Sequence, residues 1–291
     1  MKKLLFISIS LLCLACSSHT DVNWTPLFNG NDLSGWDTWL AKPHSSYDVP
    51  NIPRDSSGNY LEAIGLNNDP LKVFTVSEQD GQAVIRISGQ GWGAITTKNE
   101  YQNYHLSLEY KWGEKKWVPR EKSKRDSGIL YHCVGEHGAG SGAWMQSQEC
   151  QVQEGDTGDY WSVAGAIVDI PAKKATLDNQ EYWQYDKDAT IQTIGKYFDG
   201  DWNVLRCLKY PDNENPNTEW NHVEVYALGD TSVHVVNGET VMVLYNSRRI
   251  VEGQEVPLVK GKIQIQTEGA EIYYKDLKIR SINTLPKEVL Q

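Results

Sequence analysis

The run Lys262-Ile263-Gln264-Ile265-Gln266-Thr267-Glu268-Gly269, continuing through Glu271-Ile272-Tyr273-Tyr274-Lys275-Asp276-Leu277-Lys278-Ile279, decides the fold class. Apolar and polar side chains alternate in both halves, and Glu268-Gly269 marks a turn between them. Successive side chains of an extended chain point to opposite faces, so a period of two describes a strand with one buried face. The same alternation recurs in Ala83-Val84-Ile85-Arg86-Ile87-Ser88, His105-Leu106-Ser107-Leu108-Glu109-Tyr110, His222-Val223-Glu224-Val225-Tyr226 and Ser232-Val233-His234-Val235-Val236. Asp80-Gly81, Leu228-Gly229-Asp230 and Asn237-Gly238 supply turn signals, the last two expected to close hairpins. No stretch after residue 20 sustains an apolar stripe at helical spacing, and neither a βαβ alternation nor a Gly-rich phosphate loop appears. Strands without covering helices bury one face only against another sheet. The expected architecture is therefore an all-β sandwich of two antiparallel sheets, with one domain over residues 24–285. Segments 40–72, 113–126 and 155–200 break the rhythm and are expected to be long structured loops. Such loops on a β scaffold usually carry function.

Composition narrows the partner. With 28 Lys+Arg against 38 Asp+Glu, the 291 residues carry a formal charge of −10. That balance argues against nucleic acid or an anionic membrane surface, both of which require clustered basic side chains. The 11 Trp and 15 Tyr against 4 Phe favour rings with a polar handle, suited to a wet aromatic-lined site as well as to a core.

Lys2 and Lys3 precede an apolar run over residues 4–15 that is interrupted only by Ser8 and Ser10. It is too short to cross a hydrocarbon layer of about 30 Å and reads as a signal peptide over residues 1–15. Its end, Leu12-Cys13-Leu14-Ala15-Cys16-Ser17-Ser18, resembles the bacterial lipoprotein processing site, with Cys13 standing where leucine is usual. The expectation is a lipid-modified Cys16 on a tether over residues 16–23. The protein would then sit in the cell envelope, facing the periplasm or the cell surface, with membrane contact only through the lipid anchor. Cys133, Cys150 and Cys207 remain. Their odd number and lack of zinc-site spacing point to buried small apolar residues.

Glu149, Gln151 and Gln153 alternate with Cys150, Val152 and Glu154, which places the first three on one strand face at intervals of about 6.5–7 Å. A carboxylate beside amides that both donate and accept suits a polyhydroxylated ring. Glu154 has the wrong parity unless a bulge intervenes. With a bulge, the Glu-x-Gln-x-x-Glu spacing would resemble the Glu-x-Asp-x-x-Glu strand of retaining β-glucanases, whose carboxylates stand about 5–5.5 Å apart, with Gln151 in place of the middle Asp. A basic run over 111–125 holds Trp112, Trp117, Arg120 and Arg125. It leads into Asp126-Ser127-Gly128 and a strand bearing His132, which the sequence leaves open as base, hydroxyl donor or core histidine. Trp144, just after the Gly-rich segment 135–142 with its His137, is placed either against the C–H face of a sugar or in the core.

Several ordered segments together resemble the family long filed as a domain of unknown function and now called 3-keto-disaccharide hydrolases. They are Leu27-Phe28-Asn29-Gly30-Asn31-Asp32-Leu33-Ser34-Gly35-Trp36, Arg125-Asp126-Ser127-Gly128-Ile129-Leu130-Tyr131-His132, Glu149-Cys150-Gln151-Val152-Gln153-Glu154, Glu219-Trp220-Asn221-His222-Val223-Glu224-Val225, Val235-Val236-Asn237-Gly238 and the opening run with Tyr274-Lys275-Asp276-Leu277. The resemblance implies a concanavalin-like jelly-roll sandwich that binds carbohydrate on a concave sheet. It also implies a chemistry. An upstream sugar 3-dehydrogenase oxidises the 3-hydroxyl, the ketone acidifies the C2 proton, and the C1 group leaves by β-elimination before water adds. On that basis Glu149 serves as base or acid, Glu268 as second acid/base, and His132 and Lys275 as donors to the enolate. Gln151, Gln266, Trp144, Arg125 and Glu154 bind substrate. Lys275 has a structural alternative in pairing with Glu268. No cofactor or metal motif is identified, although Asp156 and Asp159 leave a divalent cation open in place of the enolate donor. A conventional retaining glycosidase or glucanase and a non-catalytic carbohydrate-binding lipoprotein are the alternative functions.

Overall fold

The computed structural model describes residues 23–290 except 197 and 199. The expected signal peptide over 1–15, the lipidation site Cys16 and nearly all of its tether lie outside the described residues. The described chain is nearly all-β, with two mostly antiparallel sheets packed face to face as expected; Gln180–Tyr185 and Arg206–Leu208 pair parallel. At the centre of the first sheet runs Tyr104–Lys116, flanked by Ala270–Ser281 and Asn221–Leu228. Gln82–Ile87 and Phe74–Gln79 continue it on one side, Thr231–Val236 and the first half of Glu239–Val251 on the other. The second sheet runs in the order Trp36–Leu40, Trp92–Thr97, Lys262–Glu268, Asp126–Val134, Gln146–Gln153 and Tyr160–Val163, every pairing antiparallel.

The period of two decides which side chains meet between the sheets. Ile85, Leu106, Leu108, Val223, Val225, Ile272 and Tyr274 face inward from the first sheet. Ile95, Ile129, Tyr131, Cys150, Val152, Ile263 and Ile265 answer them from the second. Cys133, Cys150 and Cys207 are all buried and free, in keeping with their reading as small apolar residues.

One expectation needs correction. Segment 155–200 is not one long loop, because it contains Tyr160–Val163, Ala166–Leu177, Gln180–Tyr185 and Ile191–Ile194. Its strands escape a reading by alternation because Ala166–Leu177 serves two ladders. Its first half pairs with Ile191–Ile194 and Glu239–Val251 and is buried on both faces, whereas its second pairs with Gln180–Tyr185 and is largely exposed. Glu268-Gly269 turns the chain between sheets, since the strand before it belongs to the second sheet and the strand after it to the first.

At that crossing the sandwich has a corner. The stretch 88–91 makes the opposite passage from Gln82–Ile87 to Trp92–Thr97, and Gly269 N–H donates to the Gly89 carbonyl at 2.9 Å. Gly89 has φ +83°, and a Cβ there would stand 2.3 Å from the Ala270 backbone. Both the left-handed backbone and the absence of a side chain are therefore required. Gly89→Ala is expected to destabilise the fold by roughly 1–3 kcal/mol from overpacking alone. Gly58→Ala, at φ +84° but with nothing within 4 Å, should lose only the backbone strain of about 1 kcal/mol. Chemical denaturation of the two variants measures the difference, and equal losses would show that the corner is not tightly packed.

Candidate active site

On the face of the second sheet turned away from the core, three neighbouring strands present polar side chains at alternate positions. Gln146–Gln153 carries Glu149, Gln151 and Gln153. Register sets Gln151 opposite Gly128 and Gln153 opposite Asp126, while Ile265 opposite Ile129 brings Gln266 beside them. Gly128 makes the convergence possible. A Cβ on it would lie 2.2 Å from Glu149 Oε1 and 2.7 Å from Gln266 Oε1, so a strand glycine is needed where these side chains approach.

Burial decides the electrostatics. Alternation leads one to expect an outer face in water, yet Glu149, Gln151, Gln266 and Asp126 are all buried beneath loops. The covering loop 117–125 hangs from the corner: Trp117 N–H donates to the Gly269 carbonyl and Trp117 Nε1 to the Ser88 carbonyl, each at 2.8 Å. This anchoring delivers Arg120, whose guanidinium lies 2.5 Å from Asp126 Oδ2 and 3.2 Å from Glu268 Oε1. Gln153 also donates to Asp126. Trp92, Trp144 and Trp161 wall the space, and Phe198 with Trp202 forms an exposed rim. Together they enclose a cavity of about 540 Å³. Trp144 donates its indole N–H to the Gly93 carbonyl at 3.1 Å and stacks on Trp92 at 6.0 Å.

Asp126 and Glu268 thus share one arginine, and Glu149 stands beside them without it. Burial, with Asp126 nearby, holds the Glu149 carboxyl well above the usual carboxylate range. Burial followed by repulsion from Glu268 raises Asp126 against the pull of Arg120. Burial pushes Glu268 up to about 8, again against Arg120. Charge in the dry cavity is costly, so the cluster retains protons that exposed carboxylates would lose. Arg120 Nε, Asp126 Oδ1, Gln266 Oε1 and Trp92 Nε1 are buried there without hydrogen-bond partners. Gln151 engages its carbonyl oxygen on the Val152 N–H at 2.9 Å.

Glu149, Glu268, Gln151, Gln266 and Trp144 accordingly meet as expected. His132 does not. The ladder slips between Tyr131 and Val134, and His132 adopts φ +55° at this bulge. Its ring then sits 5.7 Å from that of Tyr104 and 5.4 Å from that of Tyr131, where burial lowers its pKa to about 4. It is a neutral core histidine. Lys275 lies on the other sheet, 3.4 Å from Glu109 and 4.3 Å above the Trp220 ring. It neither donates to an enolate nor pairs with Glu268.

Arg125 and Glu154 lie beyond the strand ends and pair with each other at 3.0 Å, with Arg125 Nε also donating to the Gly113 carbonyl at 3.2 Å. Burial opposes the charge on Glu154, but the Arg125 N–H and guanidinium prevail and hold its pKa below the usual range. No bulge interrupts the register from Glu149 to Gln153, so the spacing analogous to the β-glucanase strand is not realised. Asp156 pairs with Lys124 and Arg206, and Asp159 with Arg206. No group of three or more His, Cys, Asp or Glu among the described residues is arranged to hold a metal.

Arg120 and Asp126 were visible in the sequence, but nothing in their spacing distinguished them from their basic neighbours. Trp161 and Trp202 gave no signal because they follow no regular period. Because the folded-state pKa of Glu149 is raised, its protonated form stabilises the fold at low pH, and that stability is lost as pH rises above the unfolded value. Glu149→Gln should therefore match the parent in melting temperature near pH 4 and exceed it increasingly toward pH 8. A constant difference across that range would mean that the carboxyl is not strained by burial.

Among solved structures the chain is similar to a candidate glycosyl hydrolase from Parabacteroides distasonis, at 18% identity and TM-score 0.47, covering 89% of this chain and 94% of that one. It is similar also to a β-glucanase from Bacillus licheniformis, at 9% identity and TM-score 0.39 over 89% and 97% of the two chains. A carbohydrate-binding module from Bacillus subtilis has 8% identity and TM-score 0.39 over 72% and 92%. No curated protein matches the sequence. The model of the 3-keto-alpha-glucoside-1,2-lyase-like domain matches residues 23–280, and the chain belongs to that family.

Proposed function

We propose that this chain cleaves the glycosidic bond of 3-keto-glycosides by removing the C2 proton and expelling the C1 substituent, with net hydrolysis. Family membership supports a carbohydrate-active enzyme. The observation that carries the finer reading is the cluster of Glu149, Asp126 and Glu268 around Arg120, with unpartnered polar atoms in one amide- and tryptophan-lined cavity. Native proteins seldom leave buried polar atoms unpaired, and a polyhydroxylated ring would satisfy these.

The roles follow from the contacts. Glu149 faces the cavity with no arginine against it, so its ionised form takes the C2 proton. Arg120, with Nε unpartnered, stabilises the developing enolate oxygen in place of His132 and Lys275. As the C1–O bond breaks, protonated Glu268 gives its proton to the departing oxygen. Water then adds at C1 while Glu268 takes its proton, and Glu149 returns a proton to C2. Both carboxyl groups end as they began. The ketone must come from an upstream oxidation of the sugar 3-hydroxyl, the reaction of a sugar 3-dehydrogenase. An envelope address through Cys16 belongs to the same proposal, and loss of fatty-acid labelling in Cys16→Ser tests it.

Incubation with a nitrophenyl glucoside and its 3-keto form, in deuterated water, tests the reaction. The expected result is cleavage of the keto form alone, with solvent deuterium at C2. Cleavage of both without exchange would instead indicate a conventional glycosidase, and binding without cleavage a carbohydrate-binding protein. Glu149→Gln should reduce turnover and C2 exchange together by roughly 100-fold or more.

The alkaline limb of kcat/KM should fall as pH rises through about 8, where Glu268 loses its proton. Glu268→Gln should remove that limb and slow glycosides with poor leaving groups by roughly 100-fold. Nitrophenyl glycosides, which depart without protonation, should be much less affected. Equal losses for both leaving groups would remove Glu268 from the acid role.

A further inference from the structure

The loop over 117–125 carries Arg120 to the cavity, and main-chain bonds tie its two ends to the scaffold. Trp117 hangs from the corner. At the far end Arg125 N–H donates to Glu154 Oε2 and Glu154 N–H to the Arg125 carbonyl, each at 3.0 Å. Between these anchors run two successive turns, with Arg120 N–H on the Trp117 carbonyl at 2.8 Å and Ser123 N–H on the Arg120 carbonyl at 3.0 Å. Tyr47 Oη steadies the first turn by donating to the Val118 carbonyl at 3.0 Å. Beyond Arg120 the hold is ionic. Among the described residues, the only ion pairs leaving 118–124 are those of Arg120 itself and that of Lys124 with Asp156, at 2.9 Å.

Lys124 is half exposed, but Asp156 is buried and rigidly placed. Asp156 N–H donates to the Gln153 carbonyl at 2.7 Å, and the Asp156 carbonyl accepts from Asp159 N–H at 3.1 Å. The same oxygen that receives Lys124, Oδ2, also lies 3.2 Å from the Arg206 guanidinium. Arg206 stands opposite Trp161 in register, with its guanidinium 5.6 Å from the centre of that ring, and Trp161 stands opposite Glu149 in turn. One carboxylate oxygen therefore joins two walls of the cavity, the loop bearing Arg120 and the strand bearing Trp161. The two ties are unequal. Asp159 holds Arg206 independently, at 2.5 and 2.8 Å, whereas Lys124 pairs with no other acid among the described residues. Neutralising Asp156 would release the loop and leave the Trp161 wall in place.

We propose that Asp156 is a positioning residue for Arg120: it braces the arginine-bearing loop against the Trp161 wall and so fixes how closely Arg120 approaches Asp126 and Glu268. The catalytic consequence rests on the elimination reading; the brace does not. Asp156→Asn should lower kcat by roughly tenfold, as expected when a catalytic group is slightly misplaced, while KM stays within about twofold because the Trp161 wall is kept. The charged groups facing Glu268 are Arg120, Asp126 and Glu149. Of these only Arg120 favours the ionised form of Glu268. A loosened Arg120 therefore lets the Glu268 pKa rise, and the alkaline limb of kcat/KM, at about 8 in the parent, should move to higher pH.

Lys124→Met should reproduce both changes, the double variant should add nothing further, and Lys124→Arg should keep the parent profile. Mere loss of folded protein would lower the rate without moving the limb. An unmoved limb in Asp156→Asn, or additive effects of Asp156→Asn and Lys124→Met, would overturn the brace. If the parent turns over no 3-keto-glycoside, the catalytic reading fails separately. The Glu268 carboxyl is then titrated directly by carbon NMR of carboxyl-labelled glutamate, with Glu268→Gln assigning its signal. A higher titration point in Asp156→Asn supports the brace, and an unchanged one overturns it.

Discussion

The hydrogen bond from Gly269 N–H to the Gly89 carbonyl, 2.9 Å long, fixes the place where the chain passes twice between sheets. Several features depend on this corner. It sets Glu268 at the end of one strand and Trp92 at the start of its neighbour, directly opposite each other. It also offers the Gly269 and Ser88 carbonyls on which Trp117 hangs, and Trp117 begins the loop that brings Arg120 over the sheet. Site geometry is thus inherited from the sandwich rather than built by a flexible loop. That is the arrangement in which functional groups are held with least freedom.

The fold was largely legible because alternation is a direct record of burial. Ile263 and Ile265 read as inward, Gln264 and Gln266 as outward, and each lies where its parity places it. Parity cannot tell which sheet a strand joins, however. Lys275 has the outward parity expected, but on the other sheet, because the chain crosses between sheets at Glu268-Gly269. Parity also fails at a bulge, where His132 is turned into the tyrosine cluster. Nor can it show a third layer. Gln264 shares the face of Gln266 yet holds Thr96 and Met145 instead of facing the cavity. Glu149, Gln151, Gln266 and Glu268 on alternating strands were therefore recognisable, whereas Arg120 and Trp202, delivered by segments outside the strands, were not.

Burying Asp126, Glu149 and Glu268 against a single cation opposes folding, and buried ionised groups are poor sources of stability. The remainder of the structure offsets this with a continuous core from both sheets and with long strands shared between ladders. Ionisable groups elsewhere are handled differently. Asp159 is equally buried but receives Arg206 at 2.5 Å and the Lys209 N–H at 2.8 Å. The contrast is with Asp126, whose Oδ1 is buried without a hydrogen-bond partner.

The stacked pair of Trp92 and Trp144 has an optical consequence. Indole emission depends on the polarity of its surroundings, and this pair shares its cavity with Trp161 and Trp202. A guest displacing water from that space would alter the light these four rings emit, making intrinsic fluorescence a built-in reporter of occupancy that requires no attached dye.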